Sequence, residues 1–217
     1  MSIYFKDNEV APIYLDNVKL RKLVDRSITT ITAEDLAGVT SIGRSAFAYC
    51  SSLTGVTIPG SVTRIGEQAF DASYHQGNIA TVNFSKNSTL QSIGDYAFRY
   101  QWKLQKFICP ASVTSMNGRA FYGCDIVKLI MLPTAPPTIG AAFSNDPKTI
   151  YVPYASMTNY STMTNWTAVT ARMFPLVNTI SDLASIDTTT YTKACVIGTD
   201  ESYKEYTYDG SQWSEVI

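Results

Sequence analysis

Two short patterns of apolar residues alternate along the middle of the chain and predict short strands. In the first pattern an apolar residue and a glycine precede two variable residues and an Ala-Phe pair, as in "SIGRSAF", which ends at Phe47. It returns as "RIGEQAF", "SIGDYAF", "SMNGRAF" and the shortened "TIGAAF". Its leading apolar residues are separated by 23, 28, 23 and 23 positions; they are Ile42, Ile65, Ile93, Met116 and Ile139. A period of this length is typical of stacked repeats.

The second pattern places apolar residues in the order L-x-x-L-x-L, as in Leu53, Val56 and Ile58. It recurs in "LTGVTIP", "IATVNFS", "LQKFICP" and "VKLIMLP", and in the shorter "TIYVP". In the fourth phrase the pattern assigns Val127, Ile130 and Leu132 to the core. The alternation predicts a strand with one buried face, and successive strands would stack about 4.8 Å apart.

These elements resemble the BspA-type leucine-rich repeat, with its I-G-x-x-A-F, x-x-C-x-x-L and I-P elements. "AFAYCSSL" matches fully and "AFYGCDIV" nearly, while "AFDASYHQ" and "AFRYQWKL" lack the cysteine. The likeness covers about Val39 to Ser156. It implies a surface protein of a bacterium, protozoan or phage that adheres to host proteins or cells. The stretches "YLDNVKLRKLV" and "YTYDGSQWSEV" are similar to parts of phage or prophage tail-associated and bacterial surface proteins.

We therefore predict a repeat solenoid, mainly β with short helical segments, that forms a right-handed leucine-rich-repeat coil of about five 23-residue repeats over residues 39–156. Residues 1–38 would form an N-terminal cap, and residues 157–177 a C-terminal cap that uses Tyr160 and Trp166. Residues 178–217 would form a small β-meander from "KACVIG", "YKEYTY" and "QWSEVI", with a hairpin turn at "DG".

Composition narrows the possible partners. Charged residues make up 16% of the 217 residues and the net charge is -1, so we expect no nucleic-acid partner. No apolar stretch is long enough for a membrane span, and "MSIYFKDNEV" lacks the apolar region of a secretory signal. We expect no membrane insertion and no export through this N-terminal sequence.

The chemistry-bearing residues predict neither a metal site nor a cofactor. The four cysteines include no C-x-x-C pair, and Cys50, Cys109 and Cys124 are interpreted as buried structural thiols. His75 is the only histidine and is interpreted as a solvated loop residue.

The chain contains no G-x-S-x-G, H-E-x-x-H or phosphate-loop motif, so we predict that it is not an enzyme. Glu67, Asp71 and Asp95 occupy variable repeat positions that are typical of a solvated surface. A glycosidase-type carboxylate pair is the enzymatic alternative.

The outward side of the strands is the first candidate binding surface. The face becomes more apolar toward the C-terminus, and exposed apolar patches of this kind commonly mark contact surfaces. The alternation places ten residues there: Gly55, Thr57, Thr81, Asn83, Lys106, Ile108, Leu129, Met131, Thr149 and Tyr151. We assign a ligand-binding sheet face to Lys106, Ile108, Leu129, Met131 and Tyr151. Alternatively, the C-terminal meander or a second copy of the chain covers this face.

The loops that follow the Ala-Phe pairs form the second candidate surface. Their aromatic rings would line one edge of the stack and could hold a sugar or a protein. This loop edge consists of Tyr49, Tyr74, Tyr100, Trp102 and Tyr122. Alternatively, several of these rings fill gaps between repeats.

The sequence thus predicts a non-catalytic binding module, extracellular on a cell surface or on a virion, that adheres to a protein or glycan on another cell. The alternative is a structural or assembly subunit whose repeat face and meander mediate self-association into a homo-oligomer. Neither function requires a cofactor.

Overall fold

The computed structural model describes residues 2–3, 5–6, 9–10, 27–73, 77–117, 119–140, 147–198 and 202–217. Short strands dominate these residues, and the one α-helix described, α1, spans Met157–Thr162. The strands are β1 (Ser2–Ile3), β2 (Phe5–Lys6), β3 (Glu9–Val10), β4 (Thr30–Ile31), β5 (Ser41–Ile42), β6 (Gly55–Ile58), β7 (Arg64–Ile65), β8 (Thr81–Phe84), β9 (Ser92–Ile93), β10 (Lys106–Cys109), β11 (Ser115–Met116), β12 (Lys128–Met131), β13 (Thr138–Ile139), β14 (Thr149–Pro153), β15 (Met173–Val177), β16 (Lys193–Ile197), β17 (Tyr203–Tyr208) and β18 (Trp213–Glu215). Short 3-10 helices span Tyr154–Ser156, Thr167–Arg172 and Ile180–Ser185.

The first apolar pattern builds a sheet of two-residue strands, called here the short-strand sheet. Its strands lie in the order β1, β5, β7, β9, β11 and β13, and the pairs are parallel. The pairing sets Ile65 beside Ile42 and Ile93, one repeat apart on either side. A side chain on Gly94 would place its Cβ 2.6 Å from the Glu67 nitrogen of the preceding repeat, which explains the glycine of the I-G pair.

The Ala-Phe pairs form the centre of the core. Phe47, Phe70, Phe98 and Phe121 stack in one column with ring centroids 5.2, 5.2 and 5.7 Å apart. The rings are buried, and neighbouring rings are within 14° of parallel. Each repeat therefore places its phenylalanine on the one before, which is how a repeat with too little apolar surface of its own becomes stable.

The second pattern builds the longer strands. β4, β6 and β8 form one parallel sheet, while β10, β12 and β14 begin a seven-stranded sheet that continues through β15 to β18. Together these are called the long-strand sheets. β4 lies inside the segment predicted to be an N-terminal cap, so a strand of the repeat type begins before residue 39.

The predicted register of β12 is wrong by one residue. Leu129 and Met131 pair with Phe107 and Cys109 and are fully buried, so they face the core and do not belong to the outward sheet face. The reason is a shorter loop, because Cys124 and Ile126 are two positions apart where Cys50 and Leu53 are three apart. The inward residues of this repeat are Ile126, Leu129 and Met131, and the outward residues are Lys128 and Ile130.

The residues after the repeats close the last one. Tyr160 and Trp166 are buried and in edge contact, with ring centroids 4.9 Å apart. The Tyr160 hydroxyl donates to the carbonyl of Pro133, and the Trp166 indole N–H donates to that of Pro137, both at 2.8 Å. The two side chains thus cover the last repeat and also donate hydrogen bonds to its backbone carbonyls.

The three predicted C-terminal strands are present as β16, β17 and β18, joined by antiparallel pairing. Gly210 lies in the turn before β18 with φ +101°, as a hairpin glycine does. These strands extend the seven-stranded sheet through β15, which runs parallel to β14 and β16. The right-handed sense of the coil, its count of five repeats and the domain boundaries stay predictions.

Candidate functional site

The outward side of the seven-stranded sheet is covered over β12 and β14. Ile108, Ile130, Tyr151 and Phe174 form one row across four neighbouring strands. Ile130 and Tyr151 are only 1% and 2% exposed, and they belong to a small apolar cluster with Leu176 and Cys195. This face is therefore a second core.

Strand β17 supplies part of the cover. Its Glu205 accepts a hydrogen bond from the Tyr151 hydroxyl and pairs with the Lys128 ammonium group. The Lys106 ammonium group lies 5.2 Å from the centre of the Tyr203 ring, also on β17. Because β17 stands three strands away from β14 in the sheet order, these contacts require a curled sheet.

The polar contacts of the cover shift several pKa values. Burial acts to raise the pKa of Glu205, but hydrogen bonds from Lys128 and Tyr151 outweigh it and leave that pKa lowered. Burial and the Glu205 hydrogen bond raise the pKa of Tyr151. Burial and the Glu205 charge raise the pKa of Cys195 to about 12, so this thiol is protonated at neutral pH.

The five residues predicted for the sheet face thus lie in three environments. Leu129 and Met131 face the core, and their predicted exposure is wrong. Tyr151 faces outward but is buried under β17. Ile108 is partly buried against the same cluster, and Lys106 is exposed at its margin. The structure agrees with the alternative prediction, in which the C-terminal meander covers this face, since β17 contacts Tyr151 and Lys128.

The loop edge is more open. Tyr49 and Trp102 are 47% and 46% exposed. Tyr100 and Tyr122 are half-buried and in edge contact, with ring centroids 5.7 Å apart. Tyr74 and His75 lie outside the described residues. The Tyr100 ring also occupies the space beside Gly123, where an added Cβ would lie 2.3 Å from it.

Tyr96 and two arginines join this edge. The Tyr96 ring is 5.9 Å from that of Tyr122. The guanidinium carbons of Arg99 and Arg119 lie 4.8 and 4.9 Å from the Tyr96 ring centre, and that of Arg99 lies 5.7 Å from the Tyr100 ring. We call the set Tyr49, Tyr96, Arg99, Tyr100, Trp102, Arg119 and Tyr122 the aromatic edge.

Each arginine is held by a carboxylate of the preceding repeat. Arg99 donates two hydrogen bonds to Asp71, at 2.8 and 2.6 Å, and Arg119 pairs with Asp95 at 2.8 Å. The hydrogen bond with Asp71 raises the pKa of Arg99. Asp71 is buried with its side chain 2% exposed, so its prediction as a solvated carboxylate is wrong.

Asp71 has a structural role. Besides the two bonds from Arg99, it accepts bonds from the backbone N–H and the hydroxyl of Ser73. These four bonds occupy both oxygens of the carboxylate inside the fold. In contrast, Glu67 is exposed and pairs with Arg44 at 3.1 Å.

The cysteine position of the repeat is also structural. The Cys124 thiol donates to the carbonyl of Phe98 at 2.9 Å, and burial raises its pKa to about 12. Where the consensus cysteine is missing, the buried Gln101 donates to the carbonyl of Phe70 at 2.7 Å and accepts from the Ile79 N–H. Cys109 is buried as predicted.

The described residues contain no group of three or more His, Cys, Asp or Glu that could hold a metal ion. Within the same ranges, no helix has the length and hydrophobicity needed to cross a membrane.

The parallel strands, the phenylalanine column and the recurring buried positions define a leucine-rich repeat protein. The sequence profile of the BspA type leucine rich repeat region matches residues 24–150 in six copies, and the chain belongs to this family. No curated protein matches the chain. Leucine-rich repeat domains generally mediate protein binding, are typically not enzymes, and in the BspA-like group are often surface-associated.

Proposed function

We propose that this protein is a non-catalytic adhesion module on a cell surface or virion, which binds a protein or glycan on another cell through the aromatic edge. The observation that supports this proposal is the pair of exposed rings, Tyr49 and Trp102, on the same edge as the ordered cluster of Tyr96, Tyr100 and Tyr122. Exposed aromatic rings on a rigid scaffold are typical anchors of binding surfaces.

Two arginines support the assignment of ligand binding to this edge, because they hold the Tyr96 side chain in place in the absence of a ligand. Arg99 and Arg119 contact the Tyr96 ring and are themselves fixed by Asp71 and Asp95. Side chains that are already ordered lose less conformational entropy on binding, so more of the contact energy contributes to affinity.

The sheet face supports binding less well. Its apolar row is occupied by the chain's own β17, so a partner would have to displace Glu205 and Tyr203 first. The self-assembly alternative relied on exposure of Leu129 and Met131, and both side chains are buried in the core. The aromatic edge is therefore the surface that we assign to adhesion.

The test compares fluorescently labelled variants on intact bacterial and epithelial cells. We expect wild-type protein to bind one cell type, and the double variant Tyr49→Ala, Trp102→Ala to bind at least about tenfold more weakly. Ile180→Ala is the matched control, because Ile180 is also exposed and apolar but lies after the repeats.

Two results would contradict the proposal. One is equal binding by wild type and the double variant, which would remove the aromatic edge from the site. The other is no binding to any cell together with a stable oligomer in light scattering, which would favour the assembly function. Circular dichroism of each variant checks that the fold is retained.

A further inference from the structure

A groove of about 510 Å³ crosses the outer face of the short-strand sheet. It spans strands β7, β9, β11 and β13, which at about 4.8 Å per strand gives a length of roughly 14 Å. Its polar lining includes Arg64, Ser92, Asp95, Ser115, Asn117 and Thr138. None of the aromatic rings assigned to adhesion lines this groove, so it is a separate surface.

Two hydroxyl groups of the groove, those of Ser92 and Ser115, differ from the threonine hydroxyls around them, which include Thr138, a donor to the Thr114 carbonyl at 3.3 Å. Thr63 and Thr114 donate to carbonyls of Thr40 and Gln91 one repeat earlier, at 3.1 and 3.3 Å, and so complete the stacking of the repeats. The hydroxyls of Ser92 and Ser115 have no hydrogen-bond partner among the described residues. These two groups remain able to donate to, or accept from, a ligand.

The charges in the groove are also incompletely paired. Arg44, Arg99 and Arg119 each form an ion pair with a carboxylate, whereas exposed Arg64 pairs with no residue in the described ranges. Asp95 binds Arg119 through Oδ2, and its Oδ1 atom has no partner in the part of the chain described.

Asn117 adds an amide. Its carbonyl oxygen accepts from the Arg119 N–H at 3.0 Å, which fixes the amide and leaves the NH2 group without a described partner. The groove therefore presents a guanidinium, two hydroxyls and an NH2 group on a parallel-sheet surface. All of these groups can donate hydrogen bonds. Because the Asp95 carboxylate in the lining is paired with Arg119, Arg64 is the unpaired charge among the described residues of the groove, and it favours a ligand with negative charge.

The shape and chemistry favour a sugar chain over a peptide. The groove runs across strands β7, β9, β11 and β13, so an extended peptide lying along it would cross the strands and could not add to the sheet as a further strand. The apolar side chains of Ile93 and Met116 are buried beneath it and offer no pocket for an apolar anchor. Hydroxyl and amide donors suit sugar hydroxyls, and a guanidinium binds a carboxylate with two parallel hydrogen bonds.

We propose that this groove binds an acidic oligosaccharide, with Arg64 pairing with a sugar carboxylate and Ser92, Ser115 and Asn117 bonding to neighbouring hydroxyls. Arg119 of the aromatic edge holds Asp95 and Asn117 in place, but no ring of that edge lines the groove, so the site would be present even if the edge had no ligand.

The test is calorimetric titration of the full chain with a galacturonic acid oligomer. We expect saturable binding that Arg64→Gln weakens by about tenfold or more, because a charge-assisted pair is lost. Arg44→Gln is the matched control, since Arg44 is an exposed arginine outside the groove. The fully methyl-esterified oligomer should bind the wild-type protein as weakly as the acid binds Arg64→Gln.

Further variants separate this site from the adhesion surface. Ser92→Ala combined with Ser115→Ala should weaken binding of the oligomer, whereas Tyr49→Ala with Trp102→Ala should leave it unchanged. The proposal is overturned if the wild-type protein does not bind the oligomer, or if both arginine variants weaken binding equally. It is also overturned if a polyglutamate peptide of matched charge binds as tightly, which would point to a protein ligand. Circular dichroism verifies the fold of each variant.

Discussion

Loss of the Arg99 guanidinium should destabilise the protein more than loss of an exposed arginine. The Asp71 carboxylate that it binds is 2% exposed, whereas the Arg99 side chain is 19% exposed. Arg99→Met keeps much of the side-chain volume but removes two hydrogen bonds to Asp71, at 2.8 and 2.6 Å, and one to the Ser73 hydroxyl, at 2.6 Å. The variant would therefore leave a charged carboxylate buried with only Ser73 as its partner.

The magnitude follows from the burial of the pair. Removing one partner of a buried ion pair costs about 3–5 kcal/mol, and the partial exposure of Arg99 favours the lower end, at about 3 kcal/mol. The lost contacts with Tyr96 and Tyr100 add about 1 kcal/mol. The double variant Arg99→Met, Asp71→Ala also removes the buried charge, so it should be more stable than Arg99→Met alone.

The assay is urea denaturation followed by circular dichroism for wild type, both single variants and the double variant, which gives the coupling free energy of the pair. Arg44→Met is the matched control, because the Arg44 and Glu67 side chains are 66% and 43% exposed and such pairs contribute roughly 0–1 kcal/mol. If Arg99→Met lost no more stability than Arg44→Met, the claim that Asp71 is desolvated would be refuted.

Three further changes test other parts of the structure. Leu129→Ala should lower the free energy of unfolding by roughly 2–5 kcal/mol in urea denaturation, because Leu129 is fully buried. A change near zero would indicate that the Leu129 side chain faces outward. Gly94→Ala should lower the melting temperature, because its Cβ would lie 2.6 Å from the Glu67 nitrogen, and an unchanged value would contradict this packing. Folding lowers the pKa of Glu205, so its ionised form stabilises wild type above the unfolded-state pKa of the residue, near 4.5. Wild type loses this stability as the pH falls below that value. Glu205→Gln should lack it at every pH. Urea denaturation between about pH 6 and about pH 3 should show the two proteins converge in acid, and a constant difference would exclude this ion pair as the cause.

The repeat architecture could be predicted from sequence because each repeat places the same residue types in the same environment. Every described Ala-Phe phenylalanine joins one buried column, and the apolar residues of the I-G pairs occupy one row of a sheet. A departure from the pattern in one repeat does not hide it, because the other repeats still show the same residues at the same spacing. The three C-terminal strands were harder to place because they lie outside the repeats, so the repeat pattern does not indicate which strands they contact.

The register of β12 could not be read from its own residues. "KLIML" contains four consecutive apolar residues, so a shift by one position still leaves apolar side chains on the inward face. The deciding feature is the loop before it, which is one residue shorter than in the first repeat. A spacing measured from Cys124 to Ile126 would have given the correct register.

The aromatic edge was only partly predictable for a different reason. Tyr100 and Tyr122 were found as aromatic residues in loops, but Tyr96 and Arg119 occupy the second variable position of successive I-G-x-x-A-F segments. Their contact appears only when the repeats are aligned in columns, since these residues are 23 positions apart. Aligning the repeats so that equivalent positions form columns, and then looking for Arg next to Tyr or Asp in neighbouring repeats, would have found these residues.

The cover over the sheet face constrains where a ligand can bind. Any ligand that used Ile130 or Tyr151 would first have to open the contacts of Glu205 with Tyr151 and Lys128 and expose the apolar cluster beneath. Its apparent affinity would fall in proportion to the small population of molecules in which β17 is displaced. The aromatic edge and the groove require no such opening, because their exposed side chains are accessible in the closed structure. For equal contact energy, a ligand would therefore bind these two surfaces more tightly than it binds the covered face.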